Sequence, residues 1–158
     1  MILRPLDIKT IYSDDFEKEV PERFRTLFRV FLPAKYVIFI LFGAAALTFK
    51  VPAVTEVTSM TYNDIWAFMV GLTAAVSLLG LIFRLEKVEL YATIALVVGI
   101  ATYPFFLVTL VIGGQPDRLA AAIGLVGFLF LPSWRILDIV RVIRRREEIR
   151  SPRQPGEF

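Results

Sequence analysis

The stretch IWAFMVGLTAAVSLLGLIF, residues 65–83, decides the class of this chain. It carries no charged side chain over a length that, coiled as a helix, matches the ~30 Å hydrocarbon core of a bilayer. Backbone placed in hydrocarbon must satisfy its own N–H and C=O groups, and an unbroken helix does so. The stretch is therefore read as a transmembrane helix.

Three further apolar stretches lie on either side of it. Residues 90–113 are also uncharged and are the longest, so they require tilt or a kink, for which Pro104 is the candidate. Residues 34–50 are strictly apolar only over 36–49. They reach spanning length if Lys35 and Lys50 snorkel and Val30, Phe31 and Leu32 extend the inner end. Residues 119–137 close the set, with Arg118 snorkelling outward, Pro132 as a second kink candidate, and Ile136 and Leu137 completing the span. A chain of 158 residues that is 56% hydrophobic has room for one such bundle and for no large soluble domain. The expected fold is all-α, an integral membrane four-helix bundle over residues 34–146. A cytoplasmic segment, 1–33, precedes it and a basic, disordered tail, 147–158, follows.

Charge sets the expected orientation. One side collects Arg4, Lys9, Lys18, Arg23, Arg25, Arg29, Lys35, Arg84, Lys87, Arg135, Arg141, Arg144, Arg145, Arg146, Arg150 and Arg153; the other has Lys50 and Arg118. By the positive-inside rule the crowded side is cytoplasmic, so a multi-pass protein of the cytoplasmic (inner) membrane with both termini in the cytoplasm is expected. The opening MILRPLDIKT lacks the apolar run of a signal peptide. The connections are short. Residues 51–64 place Asn63 and Asp64 to cap the second span, 113–118 form a tight turn, and 84–89 form an inner hinge.

Two segments at the basic side carry patterns of their own. In 14–32, Phe16, Val20, Phe24, Leu27, Phe28 and Phe31 recur at helical spacing among Arg23, Arg25 and Arg29. This reads as an amphipathic helix lying in the inner headgroup layer, where it anchors the first span. Its basic residues, with Lys35, Trp134, Arg135, Arg141, Arg144, Arg145 and Arg146, form the expected interface with anionic lipid. In the second segment Arg135, Asp138, Arg141 and Arg144 recur every third position, which resembles the sensor helix of voltage-sensing domains. A sensor needs acidic partners in the other spans, and the uncharged cores of spans one to three offer none, so an interfacial extension of span four is the expected role.

Small residues recur at four-residue spacing: Ala67, Gly71 and Ala75 in the second span, Ala95 and Gly99 in the third, Ala120 and Gly124 in the fourth. They permit close helix approach, within one chain or between copies. Tyr36, Tyr62, Trp66, Tyr91 and Trp134 fall near span ends, where an aromatic belt would sit.

Residue types exclude much chemistry. Without cysteine there is no thiolate nucleophile or Cys-ligated metal, and without histidine the usual general base and haem ligand are missing. No nucleophile–base pair or ligand cluster is visible, so neither enzyme activity nor a cofactor is expected. The basic charge follows membrane topology, not nucleic-acid binding.

The short turns, the Leu32-Pro33-Ala34-Lys35-Tyr36 lead into span one and the Arg-rich end resemble the small four-span membrane proteins of actinobacterial phages, some of them holins. The resemblance implies a homo-oligomer that accumulates in the cytoplasmic membrane and permeabilises it. The alternative is a non-catalytic accessory or scaffold subunit of a larger membrane complex; a transporter or voltage-sensing module lacks the intramembrane charges it would need. The topology is open to test. Cysteines placed by Ile2→Cys and Glu157→Cys are expected to resist an impermeant thiol reagent in intact cells and to react after lysis; labelling of intact cells would reverse the orientation.

Overall fold

The computed structural model describes residues 10–13 and 22–150, and the side chains of Arg23, Phe24 and 146–150 are not among the features described. Its helices are α1 (Glu22–Thr26), a π-helical turn (Leu27–Phe31), α2 (Leu32–Phe49), α3 (Pro52–Val57), α4 (Met60–Ile82), α5 (Glu86–Ile112), a 3-10 turn (Pro116–Arg118), α6 (Leu119–Phe128) and α7 (Phe130–Arg150). No strand occurs among the described residues. Four helical stretches are long and apolar enough to cross a membrane: Leu27–Phe49, Met60–Ile82, Glu86–Ile112 and Pro116–Arg145. The outer surface agrees, since large apolar side chains such as Ile112 (83% exposed) and Phe49 (80% exposed) face away from the bundle. The described chain is a helical bundle with the makings of a multi-pass membrane protein: four helices of spanning length and apolar outer faces.

The first span differs from expectation at its beginning. The helix runs on from Glu22 to Phe49, so the described part of the amphipathic segment continues into the span. Residues 14–21 of that segment lie outside the described residues, as does the tail from 151. The reason is the way Pro33 is accommodated. Proline has no N–H to donate and crowds the preceding turn, and here a π turn takes up the mismatch, with the Leu32 N–H reaching back to the Leu27 carbonyl. In a regular helix the Arg29 carbonyl would bond residue 33; instead it accepts the Tyr12 hydroxyl at 3.2 Å. Arg29 Nε in turn donates to the Ile11 carbonyl, and the Ile11 N–H donates to the carbonyl of Ile82 at the end of α4. Residues 10–13 thus strap the start of the first span to the end of the second.

Proline also divides the fourth span. Pro132 leaves the Phe128 carbonyl without its helical donor, and the helix is interrupted at Leu129 between α6 and α7. Ser133 Oγ donates back to the Leu129 carbonyl at 2.8 Å across the break. Pro104, by contrast, lies within an unbroken α5 and is buried.

At the end of the bundle opposite the basic side, Ser59 caps α4, its Oγ accepting the Tyr62 N–H. Asn63, expected to cap, is fully buried and acts as a clamp: Oδ1 accepts the Val51 N–H at 3.0 Å and Nδ2 donates to the Ala46 carbonyl at 3.1 Å. This closes the open end of α2 and turns α3 back onto the bundle. Asp64 pairs with Lys50 beside it.

The spans pack in chain order, α2 on α4, α4 on α5, and α5 on α6 and α7. Close approach occurs at two glycines outside the expected stripes. A methyl group on Gly43 would lie 2.8 Å from the Gly71 Cα, and one on Gly80 would lie 2.7 Å from the Glu89 nitrogen. Aromatic rings fill the half of the bundle away from the basic side: Phe42 against Trp66 at 5.9 Å, Trp66 against Tyr103 at 5.7 Å, and Tyr62 against Phe106 at 5.9 Å between centroids. Trp66 and Tyr36, expected in a belt, are buried instead, whereas Tyr91 and Trp134 face outward. Trp66 turns inward because its indole N–H finds the Gly99 carbonyl of α5 at 2.7 Å. Gly43→Ala is expected to cost about 1–3 kcal/mol in unfolding from detergent micelles, because backbone must move to admit the methyl. Gly124→Ala, where nothing lies within 4 Å of the added carbon, is expected to leave stability unchanged. Equal effects of the two would remove the close-approach argument.

Candidate functional site

Of the five buried polar side chains described, Asn63 serves the far end, and Ser77, Glu89, Thr93 and Arg135 gather at the basic end. Glu89, read from sequence as part of the hinge, lies in the first turn of α5 and is buried. Gly80 makes this possible, since any side chain there would strike the Glu89 backbone. Arg135, expected at the lipid interface, turns into the bundle from α7 and meets Glu89 side-on: Nε donates to Oε1 at 2.8 Å and Nη2 to Oε2 at 3.0 Å. Its remaining nitrogen, Nη1, donates to Asp138 Oδ2 at 2.6 Å. Planar, two-point pairing of this kind is the strongest form an ion pair takes in a protein. The expectation that the fourth-span arginines find no acidic partner in the bundle is therefore overturned for one of them.

The first and second spans complete the cluster. The Tyr36 hydroxyl donates to Glu89 Oε1 at 3.1 Å and lies 2.9 Å from Thr93 Oγ1. With the tyrosine proton given to the carboxylate, the single Thr93 proton has two acceptors to serve, the Tyr36 oxygen and Ser77 Oγ at 3.3 Å. Ser77 passes its own proton to the Thr73 carbonyl. Four helices are thus joined by one chain of polar contacts. Burying two opposite charges costs several kcal/mol each before their attraction is counted, and only complete hydrogen bonding offsets that cost. The Glu89 carboxylate, with three donors, meets this condition.

Lys35 does not. Its ammonium is buried and has no hydrogen-bond acceptor among the described residues, and it rests 4.2 Å from the centroid of the Tyr36 ring. It stands in the wall of a cleft of about 690 Å³ between the first and fourth spans, whose apolar lining comes from Phe28, Phe31, Leu32, Phe130, Leu131 and Trp134. Arg135 and Asp138 also reach this wall, and the guanidinium lies 5.2 Å from the Phe28 ring.

The other sequence-derived positions scatter. Ala67 is buried, Gly71 faces Gly43, and Ala75 is partly buried; Gly99 lies partly covered beside Val70. Ala95, Ala120 and Gly124 face outward. Arg141, Arg144 and Arg145 are exposed on α7, Arg29 is engaged by the strap, and Arg25 is partly buried. The side chains of Arg23 and Arg146 lie outside the described residues.

Sequence reasoning missed Glu89, Tyr36 and Thr93 as a unit. The available signal was register. Glu89, Thr93, Leu96 and Ile100 share one face of α5, and that face is the buried one. No protein-family model, curated protein or solved structure matches this chain. What the fold and the site define is a class, a helical bundle with four helices long and apolar enough to cross a membrane and an internal charge cluster.

Arg135→Leu or Glu89→Leu alone is expected to cost about 3–5 kcal/mol, because each leaves its partner charged and buried. The double variant is expected to cost less than either single change. Unfolding of the three proteins in detergent decides this, and simple additivity would mean that the pair is not coupled.

Proposed function

We propose that this chain is a non-catalytic accessory subunit of a larger assembly in the cytoplasmic membrane, with both termini in the cytoplasm, and not a conducting pore. The observation that carries the reading is the distribution of polarity. The cluster around Glu89 binds its hydroxyls and charges to one another at one end, and packed rings from Phe42 to Phe106 occupy the other half. A water-filled path needs polar groups free to face it along its whole length; here they are spent on internal contacts near one mouth. The fourth span is the least buried of the four, with Ala120, Ala121, Gly124 and Gly127 outward on α6. Small outward residues let a neighbouring helix approach closely.

The holin-like alternative uses the same face to join copies of the chain into a lesion. Inducible expression in a bacterium separates the two, with membrane potential and release of a cytoplasmic marker followed over time. Under the accessory reading, both stay at control values at high expression, and a membrane protein co-purifies. Abrupt, late depolarisation with release of the marker would overturn that reading in favour of the holin-like one.

A further inference from the structure

The cleft between the first and fourth spans shares Arg135 and Asp138 with the internal cluster, but Lys35 and the apolar lining serve no part of that cluster. We propose that the cleft is a binding site for one glycerophospholipid, with an acyl chain between the helices, the phosphate on Lys35, and a hydrogen-bond donor of the headgroup on Asp138. This stands whether or not the accessory reading does.

The walls define the tail end. Seven of the ten residues that line it are apolar, and of these Phe31, Phe130, Leu131 and Trp134 are more than half exposed. The cleft therefore opens sideways, toward whatever surrounds the bundle, and for a membrane-spanning chain that is acyl chains. Its volume of about 690 Å³ falls in the range of sites that hold a discrete small molecule.

Two charged groups define the head. Each of the three Arg135 nitrogens already donates to a carboxylate, so its charge is committed to Glu89 and Asp138. Lys35 is different, because its buried ammonium meets a ring face and no oxygen. A cation held away from water without an acceptor is costly, and a phosphodiester supplies both the charge and the oxygens it lacks. Asp138 is the second determinant. Oδ2 accepts a hydrogen bond from Arg135 Nη1, while the side chain stays half-exposed in the cleft wall. A carboxylate there disfavours a bare second anion and accepts an N–H or O–H. Ethanolamine and glycerol headgroups carry such donors; choline carries none.

The test uses the full chain, delipidated in detergent and titrated with single lipids by native mass spectrometry. Phosphatidylethanolamine and phosphatidylglycerol are expected to bind one per chain, about tenfold more tightly than phosphatidylcholine or diacylglycerol, as one charge-assisted contact would provide. Lys35→Gln is expected to lose about tenfold for both favoured lipids, and Lys35→Arg to restore most of it. Asp138→Asn is expected to narrow the gap to phosphatidylcholine. Leu131→Trp, at an exposed wall position one helical turn from Arg135, is expected to block binding of every lipid, and it answers the question if Lys35→Gln fails to fold. Equal binding of diacylglycerol, unchanged binding in Lys35→Gln or Leu131→Trp, or equal thermal stabilisation by inorganic phosphate alone would each overturn the site. So would a tightly held protein occupying the cleft after delipidation.

Discussion

The contact between Glu89 and Arg135 constrains the rest of the bundle, because a carboxylate and a guanidinium can stay inside only while they stay together. That requirement fixes the rotation of α5 and α7 about their axes, since each must present one particular face. It also fixes α2, whose Tyr36 hydroxyl is the third donor on the carboxylate, and draws in α4 through Thr93 and Ser77. Apolar packing between helices in lipid discriminates weakly among registers, because hydrocarbon wets every face alike. The polar cluster discriminates strongly. A one-residue rotation would leave a charge in hydrocarbon.

The same rule, that no polar backbone group goes unsatisfied, explains the irregular places. The Arg29 carbonyl freed by Pro33 is taken by Tyr12, and Asn63 closes the end of α2 with both ends of its amide. Trp66 reaches across to a carbonyl of α5. Each of these side chains comes from a different element than the group it serves, so backbone repair and tertiary packing are one process here.

The four spans were legible because uninterrupted apolar length is a property of sequence alone. Their edges and inward faces were not. Pro33 reads as a helix start, and only the π turn with its Tyr12 contact shows that the helix passes through it. Asn63 beside Asp64 reads as a cap, yet Ser59 takes that role and Asn63 serves a neighbouring helix. Glu89 sits three residues beyond Glu86 in a charged hinge, and a count of charges assigns it to water. Its burial follows from Gly80, which the search for four-residue stripes passed over because the close approach is between helices, not along one. Arg135 was recognised as basic and placed by that property alone; its acidic partner lies 46 residues away.

That separation has a consequence for how the protein is made. Ribosomes deliver α5 before α7, so Glu89 reaches the membrane with its counter-ion still unsynthesised. At about 5–20 residues per second, the 46 residues between them take roughly 2–9 s. During that interval the carboxylate has Tyr36 and water for company but no cation from the fourth span. Its place in the first turn of α5 provides a refuge, because a group so near a helix end can wait among the headgroups without being dragged into hydrocarbon. Arg135 then supplies the cation that Glu89 lacked, so the fourth span is the one that seats the third.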